Sequence, residues 1–264
     1  MPARDLKLLH DAALAAGEIA KKFFKADPEI WDKGNNQGPV TEADLAIDRM
    51  LKHELLGARP DYGWLSEESE DSSDRLKHDR VFIIDPIDGT RAFIAGENSF
   101  SHSLAIAENG KVIAALVHLP IREQTYAAHI GGGATCNGNP IQPSETRNSS
   151  GANILTTKPS LNPDLWPGGV PDLNRHFRPS LAYRLCLAAD GRFDGMITLR
   201  DAWEWDIAAG DLIVTEAGGI ASDRLGAKPV YNNPHPMLAG MIAAPKPVHA
   251  DIMLRLKPAP KTAS

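Results

Sequence analysis

Four consecutive apolar residues, Val81-Phe82-Ile83-Ile84, run directly into Asp85-Pro86-Ile87-Asp88-Gly89-Thr90, and this junction constrains the chain more than any other stretch. A short unbroken apolar run reads as a buried strand. An acidic residue at the end of such a strand faces desolvation unless a cation or several hydrogen-bond donors compensate it. Pro86 fixes one backbone angle, Asp88 follows within reach, and Gly89 lets the backbone approach an anion closely. Two carboxylates so placed, with no histidine or cysteine beside them, suit magnesium, which prefers oxygen ligands, keeps several waters and commonly bridges to a phosphate.

The remainder of the chain has the composition of a folded, soluble protein. Its 264 residues, 42% of them hydrophobic, can bury one large core or two smaller ones. A net charge of −6 argues against a dedicated nucleic-acid binder, which needs clustered Lys and Arg to displace counterions. Met1-Pro2-Ala3-Arg4 opens no apolar leader and no apolar run approaches a membrane span, so the expected location is the cytoplasm, away from the membrane. Cys136 and Cys186 stand fifty residues apart in no Cys-x-x-Cys arrangement, and both read as buried thiols. None of the nine histidines forms a His-Glu-x-x-His pair, which excludes that class of zinc hydrolase.

Leu6, Leu9, Ala13, Ala16, Ala20 and Phe24 recur every three or four residues and predict an opening amphipathic helix from Asp5 to about Lys25. Thr41 with Asp44 three residues on predicts a capping box, followed by a helix with Ile47, Leu51 and Leu55 on one face. Strands are expected at Ser103 to Ala107, Lys111 to Leu119 and Thr125 to Ile130, with hairpin signals at Asn109-Gly110 and Asn137-Gly138. The segment from Pro140 to Pro179 is rich in Pro, Asn and Ser, and the expected division falls there: an α+β first half, 1–146, and an α/β second half, 147–264. In the second half the pattern alternates strand (Asn153 to Thr156), helix (Leu181 to Ala189), strand (Phe193 to Leu199) and a helix from Asp206 to about Glu216, ended by Gly218-Gly219. A further strand at Met241 to Ala244 and a helix at Val248 to Leu256 complete it.

Besides Asp85 and Asp88, three acidic features stand out: Thr41-Glu42-Ala43-Asp44, Ser66-Glu67-Glu68 and Trp205-Asp206. Each also has an ordinary structural reading, Asp44 as a capping partner, Asp206 as an N-cap and Glu67-Glu68 as an exposed acidic loop. Taken together and in order with Gly132-Gly133-Ala134-Thr135-Cys136-Asn137-Gly138 and Trp205-Asp206-Ile207-Ala208-Ala209-Gly210, they resemble the inositol monophosphatase family over most of the chain.

That resemblance implies a layered α-β-α-β-α sandwich, as in the inositol monophosphatase and fructose-1,6-bisphosphatase superfamily, often a homodimer, and a phosphatase using two or three magnesium ions. Carried over by position, Glu67, Asp85 and the backbone carbonyl of Ile87 would hold one ion, and Asp85, Asp88 and Asp206 a second, with Glu67 sharing a third, weaker one. Asp88, Gly89 and Thr90 would receive the phosphate, Asp44 would orient Thr90, and Glu67 with Thr90 would position the attacking water. Lys33 matches a basic residue near the phosphate, and Ser180 and Arg200 fall where substrate contacts are made.

The substrate is expected to be a small phosphorylated metabolite. Leu199 stands where the animal inositol phosphatases carry a glutamate that binds inositol hydroxyls, and Pro179-Ser180 replaces their Gly-Ser/Thr segment. Leu65-Ser66-Glu67-Glu68 and Gly38-Pro39-Val40-Thr41 look closer to bacterial 3'(2'),5'-bisphosphate nucleotidases, and Arg200 or Arg184 suits a second phosphate. The leading expectation is therefore adenosine 3',5'-bisphosphate, with inositol 1-phosphate next and histidinol phosphate as a third choice. A reading of another class, association with RNA and the transcription machinery, also follows from the resemblance and runs against the acidic charge. Trp203 and Trp205 read chiefly as packing residues, with base stacking as the alternative.

Overall fold

The computed structural model describes residues 2–32, residue 34 and residues 38–256. Helix α1 (Pro2–Phe23) buries Leu9, Ala13, Ala16 and Ala20 along one face, as the periodicity predicts. A hairpin of β1 (Ile30–Asp32) and β2 (Pro39–Thr41) leads into α2 (Glu42–Ala58). The capping box is present: the Thr41 amide donates to Asp44 Oδ2 at 2.8 Å while the Asp44 amide faces Thr41 Oγ1 at 3.4 Å.

Seven strands then form one sheet. They are β3 (Gly63–Ser66), β4 (Arg80–Asp88), β5 (Ser101–Glu108), β6 (Lys111–Leu119), β7 (Gln124–His129), β8 (Ala134–Cys136) and β9 (Asn139–Pro140), adjacent in that order. The first pair is parallel and the rest are antiparallel. A short helix, α3 (Thr90–Ile94), interrupts the run after β4. Asn109 and Gly110 have φ of 49° and 79°, and Asn137 and Gly138 repeat these values, so both tight turns adopt the positive φ that two-residue hairpins require.

The second sheet begins at Asn153. It contains β10 (Asn153–Thr156), β11 (Asn174–His176) and, after α4 (Leu181–Ala189), β12 (Gly195–Thr198). Next come β13 (Ala202–Trp203), α5 (Glu204–Glu216), β14 (Ile220–Ser222), β15 (Met237–Leu238), β16 (Met241–Ala244) and α6 (Lys246–Leu256). The order is β11-β10-β12-β16-β14, parallel through β12 and antiparallel at β16, while β13 and β15 pair separately.

Helices α1 and α2 cover one face of the seven-stranded sheet, α4 and α5 fill the space between the two sheets, and α6 closes the outer face of the second. This is the α-β-α-β-α sandwich that the resemblance implied. All nine residues of α4 are buried, as a helix packed on every side must be. The largest apolar cluster joins Val81, Ile83 and Val117 of the first sheet to Leu185, Ile213 and Met196 of the later elements, so the two sheets share a core.

Three local expectations change. Trp203, not Asp206, is the N-cap of α5, which places Asp206 inside the first turn. Cys186 is buried but Cys136 is only half-buried, because β8 lies near the sheet edge. The strand expected from Phe193 to Leu199 is confined to Gly195–Thr198. Gly218 ends α5 with φ of 94°, the left-handed C-terminal geometry expected of it. Among the described residues no helix is long and apolar enough to cross a membrane.

Candidate metal centre

Side chains alternate across a strand, so residues three apart should point to opposite faces. In β4, Val81 and Ile83 face the α4–α5 layer while Phe82 and Ile84 face α1 and α2. The register against β5 slips at this point: Asp85 pairs with Ser103 but Asp88 pairs with Ser101, so one extra residue is accommodated on β4. This bulge at Pro86-Ile87 resets the alternation. Ile87 packs with Phe82 and Ile84, and Asp88 comes out on the side of α4. The carbonyl of Pro86 accepts a 2.5 Å hydrogen bond from buried His102 Nδ1, and burial holds that imidazole neutral by pulling its pKa down to about 3.

Asp206 arrives from the opposite side, in the first turn of α5. Oxygens of Asp85, Asp88 and Asp206 lie within 4.8 Å of one another. Asp85 is almost fully buried, and among the described residues its Oδ1 has no hydrogen-bond partner. Burial first, then the charges of Glu67, Asp88, Asp206 and Glu68, raise its pKa well above the usual carboxylate range. Asp206 is raised well above that range too, by burial and then by Asp88 and Glu67. Burial lifts Asp88 to about 6 even though three groups at the start of α4 oppose it: Ser180 Oγ donates at 2.6 Å, the Ala182 amide at 2.6 Å and the Leu181 amide at 3.1 Å. Crowded, desolvated carboxylates with an orphaned oxygen, in a cluster that among the described residues includes no histidine or cysteine, fit a hard divalent cation.

The other expected residues surround this cluster. Glu67 follows β3 directly, its amide donating to the Ile84 carbonyl at 3.2 Å, and it borders the same cleft, which has a volume of about 560 Å³. Asp48 of α2 holds the turn carrying Glu67 and Glu68, accepting from Ser66 Oγ at 2.5 Å and Ser69 Oγ at 2.7 Å. Thr90 Oγ1 donates toward the Ile87 carbonyl at 3.1 Å and toward Asp44 Oδ1 at 3.4 Å. Gly89 has φ of 96°, and a Cβ there would stand 3.4 Å from the backbone of Ser180, so glycine serves both the turn and the close approach.

Ser180 caps α4, is fully buried and turns its hydroxyl to Asp88 and Ser101, so it stands behind Asp88 rather than in the cleft. Leu199 is buried in the outer apolar cluster and does not border the cleft, whereas Arg200 and Arg184 do. Lys33 lies outside the described residues. Trp203 and Trp205 both border the cleft and stack on each other, with ring centroids 4.8 Å apart and planes 9° from parallel.

Sequence reasoning missed Glu204 and Arg75. Buried Glu204 accepts from the Asn232 amide at 2.6 Å, and from the Asn233 amide at 2.9 Å and Nδ2 at 2.7 Å. Buried Arg75 donates to Asn232 Oδ1 at 2.5 Å and to the Asn233 carbonyl at 2.8 Å. This network ties the start of α5, with Asp206, to the connection between β3 and β4. No local sequence signal marks it, since its partners are separated by 157 and 158 positions at one end.

The model of the inositol monophosphatase family matches residues 2–256. The chain belongs to the inositol monophosphatase family. An inositol-1-monophosphatase of Rhizobium meliloti is 35% identical over 233 residues, covering 84% of this chain and 86% of its own. Nus factor SuhB of Haemophilus influenzae is 31% identical over 257 residues, covering 94% and 93%. Among solved structures, the inositol monophosphatase of Thermotoga maritima superposes with a TM-score of 0.81 at 28% identity, covering 97% of each chain. The chain is thus a metal-dependent phosphomonoesterase by family. These relatives carry inositol monophosphatase and SuhB names rather than that of a bisphosphate nucleotidase, so the family membership stands while the expected order of substrates changes.

Proposed function

We propose that this inositol monophosphatase family member uses magnesium to hydrolyse the phosphate monoester of a small metabolite, with inositol 1-phosphate now the first substrate to consider. The observation that carries the reading is the buried Oδ1 of Asp85, without a hydrogen-bond partner among the described residues, beside Asp88 and Asp206. On this reading Asp85 would be shared between two ions, with Glu67 and the Ile87 carbonyl completing one set and Asp88 and Asp206 the other. Bound magnesium would supply charge neutralisation of the phosphate dianion and a more acidic water.

The chain's own groups do the rest. Thr90, held between Asp44 and the Ile87 carbonyl, would align the attacking water together with Glu67. The turn at Gly89 would leave room for the phosphate against Asp88 and Thr90. The water oxygen bonds to phosphorus, the ester P–O bond breaks, and the alcohol leaves with a proton, so no phosphoenzyme is needed. A homodimer is part of the proposal, and light scattering on the purified protein tests it.

Phosphate release from inositol 1-phosphate, adenosine 3',5'-bisphosphate and histidinol phosphate, with magnesium and again with EDTA, tests the function. Release that magnesium restores and EDTA abolishes is expected. Release indifferent to chelation, or none from any of the three, overturns the proposal.

A further inference from the structure

His102 is a polar side chain on an apolar face. Within β5 it alternates with Ser101 and Ser103 and falls on the side of Phe100, Leu104 and Ile106, which pack beneath α1 and α2. It is fully buried, and its ring stands edge-on to Phe100 with centroids 6.2 Å apart. On the neighbouring β6, His118 lies opposite it in register, with ring centroids 6.0 Å apart. Burying an imidazole costs free energy unless its nitrogens are paired. Among the described residues Nε2 has no partner, and the ring's one hydrogen bond runs from Nδ1 to the Pro86 carbonyl.

That carbonyl sits in the bulge. Strands β4 and β5 pair at Asp85 with Ser103 and next at Asp88 with Ser101, so Pro86 and Ile87 stand outside the ladder. Pro86 has a fixed φ and no N–H, which leaves rotation of the Pro86–Ile87 peptide plane as the main freedom of this turn. Rotating that plane moves Asp88 and the Ile87 carbonyl relative to Asp85, the very groups that the metal reading assigns to one centre. His102 holds the plane by its oxygen, and Thr90 Oγ1 donates to the next carbonyl, that of Ile87, at 3.1 Å. A carbonyl only accepts, so Nδ1 carries the hydrogen, and with the ring neutral Nε2 is bare.

We infer that His102 is a positioning residue for the metal centre: its Nδ1–H fixes the Pro86–Ile87 peptide plane, so that Asp85, Asp88 and the Ile87 carbonyl are spaced for cations before any cation arrives. The inference rests on the metal-dependent phosphatase reading and adds to it a group that touches neither metal nor substrate. His102 acts from the α1–α2 side of the sheet, while Asp88 emerges on the side of α4 and meets Asp206 of α5 there. Groups that orient metal ligands from behind carry effects of about 10- to 100-fold on metal affinity, because a ligand held in place loses less freedom when the ion binds.

Calorimetric titration with magnesium tests this on the wild type and two variants. His102→Leu removes the donor, whereas His102→Asn keeps one, since its Nδ2 stands at the same remove from the backbone as Nδ1. Both variants lose ring packing and should melt below the wild type, so metal affinity is the quantity that separates them. His102→Leu should bind magnesium about tenfold or more weakly and need correspondingly more of it for half-maximal phosphate release, with kcat at saturating magnesium changed far less. His102→Asn should stay within about threefold of the wild type. An unchanged affinity in His102→Leu, or equal losses in both variants, overturns the inference and leaves the phosphatase reading intact. A wild type that binds no magnesium sinks both. Should His102→Leu fail to fold by circular dichroism, long-range proton–nitrogen spectra of the wild type decide, with the His102 signals assigned from His102→Asn. A hydrogen on Nδ1 is expected there, and a hydrogen on Nε2 alone overturns the inference.

Discussion

At the scale of single residues, the centre is expensive to build without a cation, and Asp85 shows why. Its carboxylate is desolvated, crowded by other acids and, among the described residues, without a partner at Oδ1. Asp85→Asn should lower phosphate release by about a thousandfold or more if the residue is shared by two ions. The same variant should melt higher than the wild type in EDTA, and magnesium should raise the melting temperature of the wild type only. An unchanged response of the variant to magnesium would remove Asp85 from the metal site. His118 supplies a second test, on the opposite face of the sheet. It is buried under Gly17 of α1 with Nδ1 2.8 Å from Thr125 Oγ1, and burial, then the Lys21 charge, lower its pKa from 6.5 to about 4. The unfolded chain therefore takes up a proton that the folded chain refuses, and stability present above pH 6.5 is lost as pH falls toward 4. Urea unfolding at pH 7 and pH 4.5 should show the wild type losing roughly 2 to 3 kcal/mol more than His118→Gln.

At the scale of elements, the decisive device is the bulge in β4 together with the N-terminus of α4. Ser180 has two tasks there, capping the Tyr183 amide at 2.9 Å and donating to Asp88 at 2.6 Å. Ser180→Ala should lower the urea midpoint by an amount equivalent to about 1 to 2 kcal/mol. It should also weaken the magnesium dependence of activity, since Asp88 loses one of its three donors; an unaltered magnesium titration would show that the remaining two suffice. Features of this kind separate what the sequence reveals from what it hides. The apolar run before Asp85, the Thr41–Asp44 box and both Asn-Gly turns are legible because their causes lie within a few residues. The contacts of Asp88 with Ser180, Leu181 and Ala182 span 92 to 94 positions, and nothing local announces them. That is why Ser180 reads as a substrate contact in the sequence and stands behind the site in the fold. Trp203 as the cap of α5 escaped for a different reason: it lacks the side-chain oxygen that makes a cap recognisable, and Asp206 nearby has one.

At the scale of the whole molecule, the clustered acids come from both parts of the chain, and the α4–α5 layer between the sheets brings them together. The network of Glu204, Asn232, Asn233 and Arg75 fastens that layer to the connection between β3 and β4. The fragment 1–146, which matches the first half expected from the sequence, keeps all seven strands of one sheet and leaves its α4-facing side without cover. Expressed alone it should aggregate or bind a hydrophobic dye, and a soluble, cooperatively melting fragment would show that the shared core is dispensable to it. The order of synthesis gives this arrangement a further consequence. A ribosome adding about 5 to 20 residues per second completes the first sheet several seconds before the last turn of α5 follows. Until α4 and then α5 have been added, the inner face of the sheet, Val81, Ile83 and Val117 included, lacks the layer it packs against in the fold. Asp85 and Asp88 of β4 are therefore in place on the chain well before Asp206 of α5 exists to complete the acidic cluster.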